Sequence, residues 1–349
     1  MNFGSIHQLL LLVVLLLSNQ FDVCSTMTTK IINNKKTISP LIDIGINLGN
    51  RQFNRDREEV IQRAAQNGVT ALILTGCSVR GSIEAQKYCD QFAAKSQHST
   101  STAANAAAAA ASGIQLLSTA GVHPHDAKSC NDDTLSILRR LAQSQYVVAI
   151  GECGLDYNRN FSPPEVQRTW FEHQLQLACE LNMPVFLHER DAHEDFFRIL
   201  KQYSDKLPAC VVHCFTGTQK ELEAYLTIPN CYIGITGWIC DERRGMHLRN
   251  SVPLIPDDKL MIETDAPFLF PRDLPLDKRV TTNKKDRRNE PSYLGHVCHA
   301  VATCRGQTSD HVAEITTANA IRFFGLPLQL SSITINQTPP SASALPGPF

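Results

Sequence analysis

The chain lacks an excess of charge of either sign. Its 33 Lys and Arg residues are balanced by 34 Asp and Glu residues, which leaves a formal net charge of −1. This balance excludes binding to nucleic acid through overall charge. Any contact with a polyanion must come from a local concentration of basic side chains.

The sequence also lacks an apolar run long enough to span a membrane at its N-terminus. The run "LLLLVVLLL" at 9–17 has nine residues, and a transmembrane helix needs about 20. Followed by small residues up to Ser25, this run is typical of a cleaved signal peptide, although no Lys or Arg precedes it. We expect residues 1–40 to be a signal-like segment and linker, which favours secretion. The alternatives are a cytoplasmic protein translated from Met27, and an uncleaved segment that would provide the expected membrane contact.

Cysteines are numerous but are not paired in sequence. The chain has 12, and none of them show Cys-x-x-Cys spacing. A chain of this length has no need of disulfides to stabilise a core, so most of these residues are expected to be small buried side chains.

From Leu41 onward, short β-branched runs alternate with longer amphipathic stretches. The eight runs lie at 41–46, 71–76, 116–122, 147–154, 185–189, 209–215, 231–237 and 260–267. Strands that alternate with helices predict parallel βα units, and eight such units predict a closed (β/α)8 TIM-type barrel of the α/β class. We expect residues 41–325 to form this barrel as a single domain.

Two segments do not fit the barrel pattern. The stretch at about 93–113 is rich in Ala, Ser and Thr and has almost no large apolar residue, so it is expected to be a solvated insertion. The tail at 326–349 is polar and rich in proline and is expected to be disordered.

Polar residues end most of the predicted strands, and in a barrel of this type such residues meet at one mouth. These residues are His123 and His125 after the third strand, Glu152 after the fourth, His188 after the fifth, His213 after the sixth and Asp265 after the eighth. A carboxylate and two imidazoles from successive strands are a compact ligand set for a divalent cation. Water bound to such a cation becomes a nucleophile near neutral pH.

Seven motifs, in order, resemble the TatD family of metal-dependent deoxyribonucleases within the amidohydrolase superfamily. They are "AGVHPH", "GECGLDYNRNFS", "PVFLHERDAHE", "VVHCFTGT", "YIGITGW", "ETDAPFL" and "RRNEP". The resemblance implies a TIM-like barrel and hydrolysis of DNA phosphodiester bonds by an exonuclease that works from the 3′ end and favours single strands. It implies Mg²⁺ as the cation, with Mn²⁺ and Zn²⁺ as alternatives. RNA is an alternative substrate, and no obligate protein partner is indicated.

Transferred onto the matching motifs, the resemblance assigns Glu152, His188 and His213 as metal ligands and Asp265 as a ligand or catalytic base. From its position at a neighbouring strand end, His123 is expected to bind phosphate or protonate the leaving oxygen; the alternative is a rim residue. Arg190 is expected either to pair with a substrate phosphate or to orient Glu152.

The first strand ends in Gly45 and Asn47, where related branches of the family carry His-x-His. The TatD proper branch shares this departure, and the alternative is that Gly45 and Asn47 only end the strand and begin a turn. We predict one firm metal site and one weaker position to which Asn47 contributes. Gly45 offers no ligand, and we expect its missing side chain to leave room for a nucleotide.

Basic residues concentrate after the eighth strand. Lys284, Lys285, Arg287 and Arg288 are expected to bind the substrate backbone; the alternative is a solvated charged loop. Two other functions stay open from the residues alone. One is hydrolysis of an amide or ester by the same water, and the other is a barrel without catalytic activity.

Overall fold

The computed structural model describes residues 37–98, 113–281, 283, 285–327 and 333–334. The signal-like segment, residues 99–112 of the predicted insertion, most of the predicted tail, and Lys284 lie outside the described residues. The chain divides into two compact units, one of residues 38–333 and one made of the two ends, 1–37 and 334–349. The barrel lies within the first unit.

Eight parallel strands form one sheet, and their order in the sheet is their order in the sequence. They are β1 (Leu41–Ile46), β2 (Val69–Leu74), β3 (Gln115–Ala120), β4 (Val147–Asp156), β5 (Val185–Arg190), β6 (Cys210–Val212), β7 (Cys231–Ile235) and β8 (Leu260–Ile262). A parallel bridge between Ile46 and Ala266 connects the first strand to the segment after the last and closes the ring. The predicted (β/α)8 barrel is confirmed. Two short strands, Thr37–Ile38 and Ile333–Thr334, form a small separate sheet.

Helices follow the strands as the sequence predicts. They are α1 (Arg57–Gln66), α2 (Val79–His98), α3 (Thr134–Leu141), α4 (Pro164–Leu181), α5 (His193–Tyr203), α6 (Gln219–Leu226), α7 (Met246–Ser251), α8 (Leu294–Arg305) and α9 (Ser309–Phe324). Short 3-10 turns span Arg51–Phe53, Pro124–Ser129, Gly237–Cys240, Val252–Leu254, Asp257–Lys259, Leu276–Lys278 and Pro291–Tyr293. Within the described residues, no helix has both the length and the hydropathy to cross a membrane.

The barrel interior is filled by alternate residues of the strands. Ile42, Ala71, Leu117, Phe186 and Met261 belong to one buried cluster with Tyr232. Phe323 of α9 packs edge-on against Tyr232, with ring centroids 5.4 Å apart, and covers the end of the barrel where the strands begin. Because side chains fill the interior from below, the opposite end is left for polar groups.

The helix α2 extends further than the sequence indicated. It continues to His98, so the first residues of the predicted insertion are helical. Ala, Lys and Gln in this stretch are strong helix formers. Lys95 also forms an ion pair with Glu58 at the start of α1, at 2.7 Å.

Candidate metal centre

Side chains at the ends of several strands converge on one carboxylate oxygen. Oε1 of Glu152, on β4, lies 3.0 Å from Nδ1 of His188 and 2.8 Å from Nε2 of His213. Nε2 of His123 approaches the same oxygen at 3.5 Å. His123, Glu152 and His188 each offer one possible ligand atom within 4.8 Å of the others, and His213 lies outside that group. The structure thus brings together all three predicted ligands of the firm site, with His123 beside them.

These spacings fit a divalent cation. Neighbouring ligands at about 2.1 Å around an octahedral ion lie about 3.0 Å apart. The nitrogen–oxygen distances at His188 and His213 match that separation. Nε2 of His188 lies 3.4 Å from Oδ2 of Asp156. A proton on Nε2, facing this carboxylate, leaves the Nδ1 lone pair directed at Glu152, as a metal ligand requires.

His213 is held in the tautomer that a metal ligand needs. Its Nδ1 lies 3.2 Å from Oε2 of Glu263, which is fully buried, and the other oxygen of Glu263 accepts from the backbone N–H of Cys214 at 2.5 Å. With the ring proton on Nδ1, the Nε2 lone pair faces Glu152. Burial lowers the pKa of His213, but the carboxylates of Glu263 and Glu152 outweigh it and raise that pKa well above its ordinary value.

Glu263 also explains why position 45 is a glycine. The expected room for a nucleotide beside Gly45 is not there. A Cβ atom at position 45 would lie 2.3 Å from Oε2 of Glu263 and 3.0 Å from the Phe186 ring. A Cβ atom at Gly234 would lie 2.9 Å from the other Glu263 oxygen. The space that these glycines leave is occupied by the carboxylate that orients His213.

His123 is held in the opposite tautomer. Its Nδ1 accepts a hydrogen bond from the backbone N–H of His125 at 3.0 Å, which places the proton of the neutral ring on Nε2. Burial lowers the pKa of His123 to about 3, with the neighbouring imidazoles adding to the decrease and Glu152 opposing it. His123 therefore presents a neutral N–H toward the site. That group suits a hydrogen bond to a phosphate oxygen better than metal ligation.

Asp265 and Asn47 face each other across the mouth. Nδ2 of Asn47 donates to Oδ1 of Asp265 at 2.8 Å, and the Asn47 carbonyl oxygen accepts from Sγ of Cys77 at 3.4 Å. Asp265 has left-handed backbone geometry, with φ 52°, and its N–H donates to the Gly45 carbonyl. Burial raises the pKa of Asp265 to about 8; Glu152 and Glu263 add to the rise and His213 opposes it. A cation nearby would favour the ionised carboxylate.

Three residues of the site escaped sequence reasoning. Cys77 Sγ lies 3.3 Å from Oε2 of Glu152, and Asp156 Oδ2 lies 2.8 Å from Nε2 of His125. Asp156 ends β4, and Glu263 directly follows the buried apolar residues of β8. A charged residue in a strand that is buried on both faces was the available signal, since it must have a partner.

The basic segment after β8 contains exposed side chains and one that is bound by carboxylates. Lys285 and Arg287 are exposed, and the Arg287 guanidinium lies over the Phe270 ring, 5.6 Å from its centroid. Arg288 instead makes two hydrogen bonds of 2.7 Å to the carboxylate of Asp56, and one of 2.5 Å to Glu290. These bonds connect the loop to the residue that precedes α1, and they favour a structural role for Arg288 over the predicted substrate contact. Arg190 is half-buried at the end of β5.

A cavity of about 350 Å³ opens beside Asn47 and Cys77 and extends to Arg57 and Tyr88. Arg57 lies over the Tyr88 ring, 5.4 Å from its centroid, and its Nε donates to the Leu48 carbonyl. Pockets for small ligands commonly measure about 300–1,000 Å³. The cavity therefore has the size for a small molecule or one unit of a polymer next to the candidate centre.

These features define a class of protein. A (β/α)8 barrel whose strand ends converge on a carboxylate surrounded by imidazoles has the architecture of a metal-dependent hydrolase.

The family follows from comparison with known proteins. The family model "TatD related DNase" matches residues 42–325. The chain is 46% identical, over 286 residues, to the 3′-5′ ssDNA/RNA exonuclease TatD of Escherichia coli K12, covering 82% of this chain and 99% of that protein. A protein of the same name from Shigella flexneri is 47% identical, and the match covers 82% of this chain and 99% of that protein. The crystal structure of a TatD family hydrolase from Entamoeba histolytica matches with a TM-score of 0.69 at 25% identity, covering 83% of this chain and 99% of that one. The chain belongs to the TatD-related DNase family.

Proposed function

We propose that this protein is a divalent-metal-dependent exonuclease that removes nucleotides from the 3′ end of single-stranded DNA and of RNA. The observation that carries the proposal is the convergence of His188 and His213 on one oxygen of Glu152. Membership of the TatD-related DNase family supports the choice of phosphodiester bonds, as do the names of curated relatives at 46% and 47% identity.

Glu152, His188 and His213 would hold the cation, and Asp265 would serve as a further carboxylate ligand or as the base. When bound, a divalent cation polarises a phosphate oxygen and lowers the pKa of a coordinated water. Mg²⁺ is the cation we propose, because the family resemblance implies it and the carboxylate oxygens of Glu152 and Asp265, with retained waters, suit its octahedral preference. The imidazoles of His188 and His213 suit Mn²⁺ and Zn²⁺ as alternatives. Asn47 would not bind a second cation directly. Its amide would support the weaker second position by donating a hydrogen bond to Asp265.

Two residues of the chain have separate roles toward the substrate. Asn47 holds Oδ1 of Asp265, which leaves Oδ2 to accept the proton of the attacking water. Nε2–H of His123 would donate to a non-bridging phosphate oxygen. The His123 donor would stabilise the negative charge that develops on the phosphoryl group, and the Asp265 carboxylate would take up the proton of the attacking water.

The surroundings favour a nucleotide over a small neutral substrate. The cavity next to Asn47 contains the Tyr88 ring, and aromatic faces stack bases in single-stranded nucleic acid without sequence preference. The exposed cations Lys285 and Arg287 suit a phosphate backbone, as does Arg190 at the mouth. A neutral amide or ester would have no use for these charges.

The test is degradation of a 5′-labelled single-stranded oligonucleotide by the purified full chain. With Mg²⁺ present, we expect a ladder of products that shorten from the 3′ end, and no products when EDTA is added. Glu152→Gln should reduce the rate at least about 100-fold, since it removes charge from the group on which the other ligands converge.

Glu189→Gln is the matched control. Glu189 directly follows His188 on β5, but its carboxylate accepts from the Ala192 N–H and the Tyr225 hydroxyl instead of facing the centre. It should keep a rate within a few-fold of the native protein. Cleavage that resists EDTA, or a Glu152→Gln variant of normal rate, would overturn the proposal. An RNA strand of the same sequence tests the second substrate.

A further inference from the structure

A second group of metal-binding side chains lies outside the candidate centre. Cys240, Asp273 and His296 each place one possible ligand atom within 4.8 Å of the other two. Nε2 of His296 and Oδ1 of Asp273 are 2.7 Å apart. None of these residues contributes to the centre around Glu152, and no step of the proposed reaction uses them.

The three side chains come from three separate parts of the chain. Cys240 ends the 3-10 turn Gly237–Cys240 after β7, Asp273 lies in the loop after β8, and His296 lies in the first turn of α8. Helix α8 packs against that 3-10 turn. The fold thus brings a thiol, a carboxylate and an imidazole to one position although 56 residues separate Cys240 from His296 in sequence.

The thiol of this group is shielded from water, while the carboxylate is exposed enough for an ion to enter. Cys240 is fully buried, the side chain of His296 is 16% exposed, and that of Asp273 is 33% exposed. An ion could reach the thiol past the carboxylate. The nearest basic side chain in sequence, Arg272, is directed to Asp241 at 3.1 Å, which leaves the charge of Asp273 available.

We propose that Cys240, Asp273 and His296 form a second metal site, which binds a divalent cation of intermediate softness such as Zn²⁺. One sulfur, one nitrogen and one oxygen are the donor types that Zn²⁺ takes, and Mg²⁺ avoids thiolate sulfur. Water would complete a tetrahedral set. The ion would join the loops after β7 and β8 to α8, so it would have a structural role beside the barrel mouth.

A role for Cys240 as a nucleophile fits less well. Burial, together with the charge of Asp273, raises the pKa of the Cys240 thiol, and a protonated buried thiol is unreactive. The imidazole of His296 is bonded to Asp273. The guanidinium of Arg249 opposes the rise in the Cys240 pKa, but its Nε donates to the Ile239 carbonyl at 2.8 Å. A cation held by all three side chains would neutralise the carboxylate.

The experiment is a titration of the full chain with Co²⁺, followed by absorption. Co²⁺ replaces Zn²⁺ in such sites, and its bond to a thiolate gives a charge-transfer band that oxygen and nitrogen ligands do not give. We expect a band that saturates at one equivalent and disappears when Zn²⁺ is added. Cys240→Ser should abolish it. His296→Ala should weaken Co²⁺ binding at least about 10-fold, because loss of even an indirect partner of a metal ligand costs about 10–100-fold.

Matched controls separate this site from the catalytic one. Cys77→Ser removes the thiol beside Glu152 and should leave the band intact. His299→Ala removes a histidine from the next turn of α8, where Nδ1 bonds to Ser309, and should not change Co²⁺ affinity. A band that is absent from the native protein, or that survives Cys240→Ser, overturns the proposal. If Cys240→Ser does not fold, His296→Ala and Asp273→Asn decide, and normal affinity in both overturns it.

Discussion

The role of Glu263 leads to a quantitative prediction. Glu263→Gln keeps the shape of the side chain and removes its charge. The amide oxygen can still accept from the Cys214 N–H, which lies 2.5 Å from Oε1. The amide N–H₂ then faces Nδ1 of His213, and two donors cannot pair. The ring of His213 must move its proton to Nε2, the atom that faces Glu152 at 2.8 Å.

The magnitude follows from the loss of a ligand's lone pair. Residues that orient a metal-binding histidine contribute about 10–100-fold to metal affinity, which corresponds to about 1.4–2.8 kcal/mol. We expect Glu263→Gln to weaken Mg²⁺ or Mn²⁺ binding by that factor. Saturating metal should restore part of the lost activity, because the other ligands are intact.

Calorimetric titration of Mn²⁺ into native and variant protein measures this change. Glu290→Gln is the control. Glu290 is also buried and paired with Arg63 at 2.8 Å, away from the centre, so its variant should lose stability and keep its metal affinity. Equal metal affinity in Glu263→Gln and native protein would refute the assignment of Glu263 as the group that orients His213.

Three further predictions test the surroundings of the centre. Gly45→Ala should destabilise the fold by about 1–3 kcal/mol in urea unfolding, because its Cβ would meet a buried carboxylate oxygen at 2.3 Å. Gly49→Ala is the control and should not destabilise the fold, because its Cβ would meet nothing within 4 Å. Equal effects of the two substitutions would contradict this explanation. Burial raises the pKa of Asp43 to about 7. The folded protein therefore holds this proton more tightly than the unfolded chain, and this residue's contribution to stability falls as pH rises from about 4 to 7. Over that pH range, the free energy of unfolding of Asp43→Asn should rise relative to that of the native protein by up to about 4 kcal/mol. A difference in unfolding free energy that does not change with pH would contradict this. Replacing Lys285 and Arg287 together by Ala should lower the slope of log affinity for single-stranded DNA against log salt by about 1.4, and an unchanged slope would remove both from the substrate path.

The barrel could be predicted from sequence because its signal is local. Strands that are buried on both faces appear as short apolar runs, and Leu41–Ile46 is observed with the bounds that the sequence indicated. Other strands, such as Cys210–Val212, are shorter than their apolar runs, because the residues after them turn toward the mouth. The polar residues at those strand ends mark the site because they also turn toward the mouth.

Partners that lie far apart in sequence could not be predicted. Arg288 looks like one of several free cations until Asp56, 232 positions earlier, is brought against it. Gly45 looks like an opening until Glu263 fills the space beside it. The proton position on His213 depends on such a partner, Glu263, so the division of the histidines between ligation and phosphate binding needed the structure.

The most direct test of the central claim compares a linear single-stranded DNA with the same strand closed into a circle. Both carry the same phosphodiester bonds, and the circle has no 3′ end. With Mg²⁺, we expect stepwise shortening of the linear strand from its 3′ end, an intact circle, and no reaction of either strand in EDTA. Cleavage of the circle at a comparable rate, or loss of the linear strand in EDTA, would contradict a metal-dependent exonuclease at this centre.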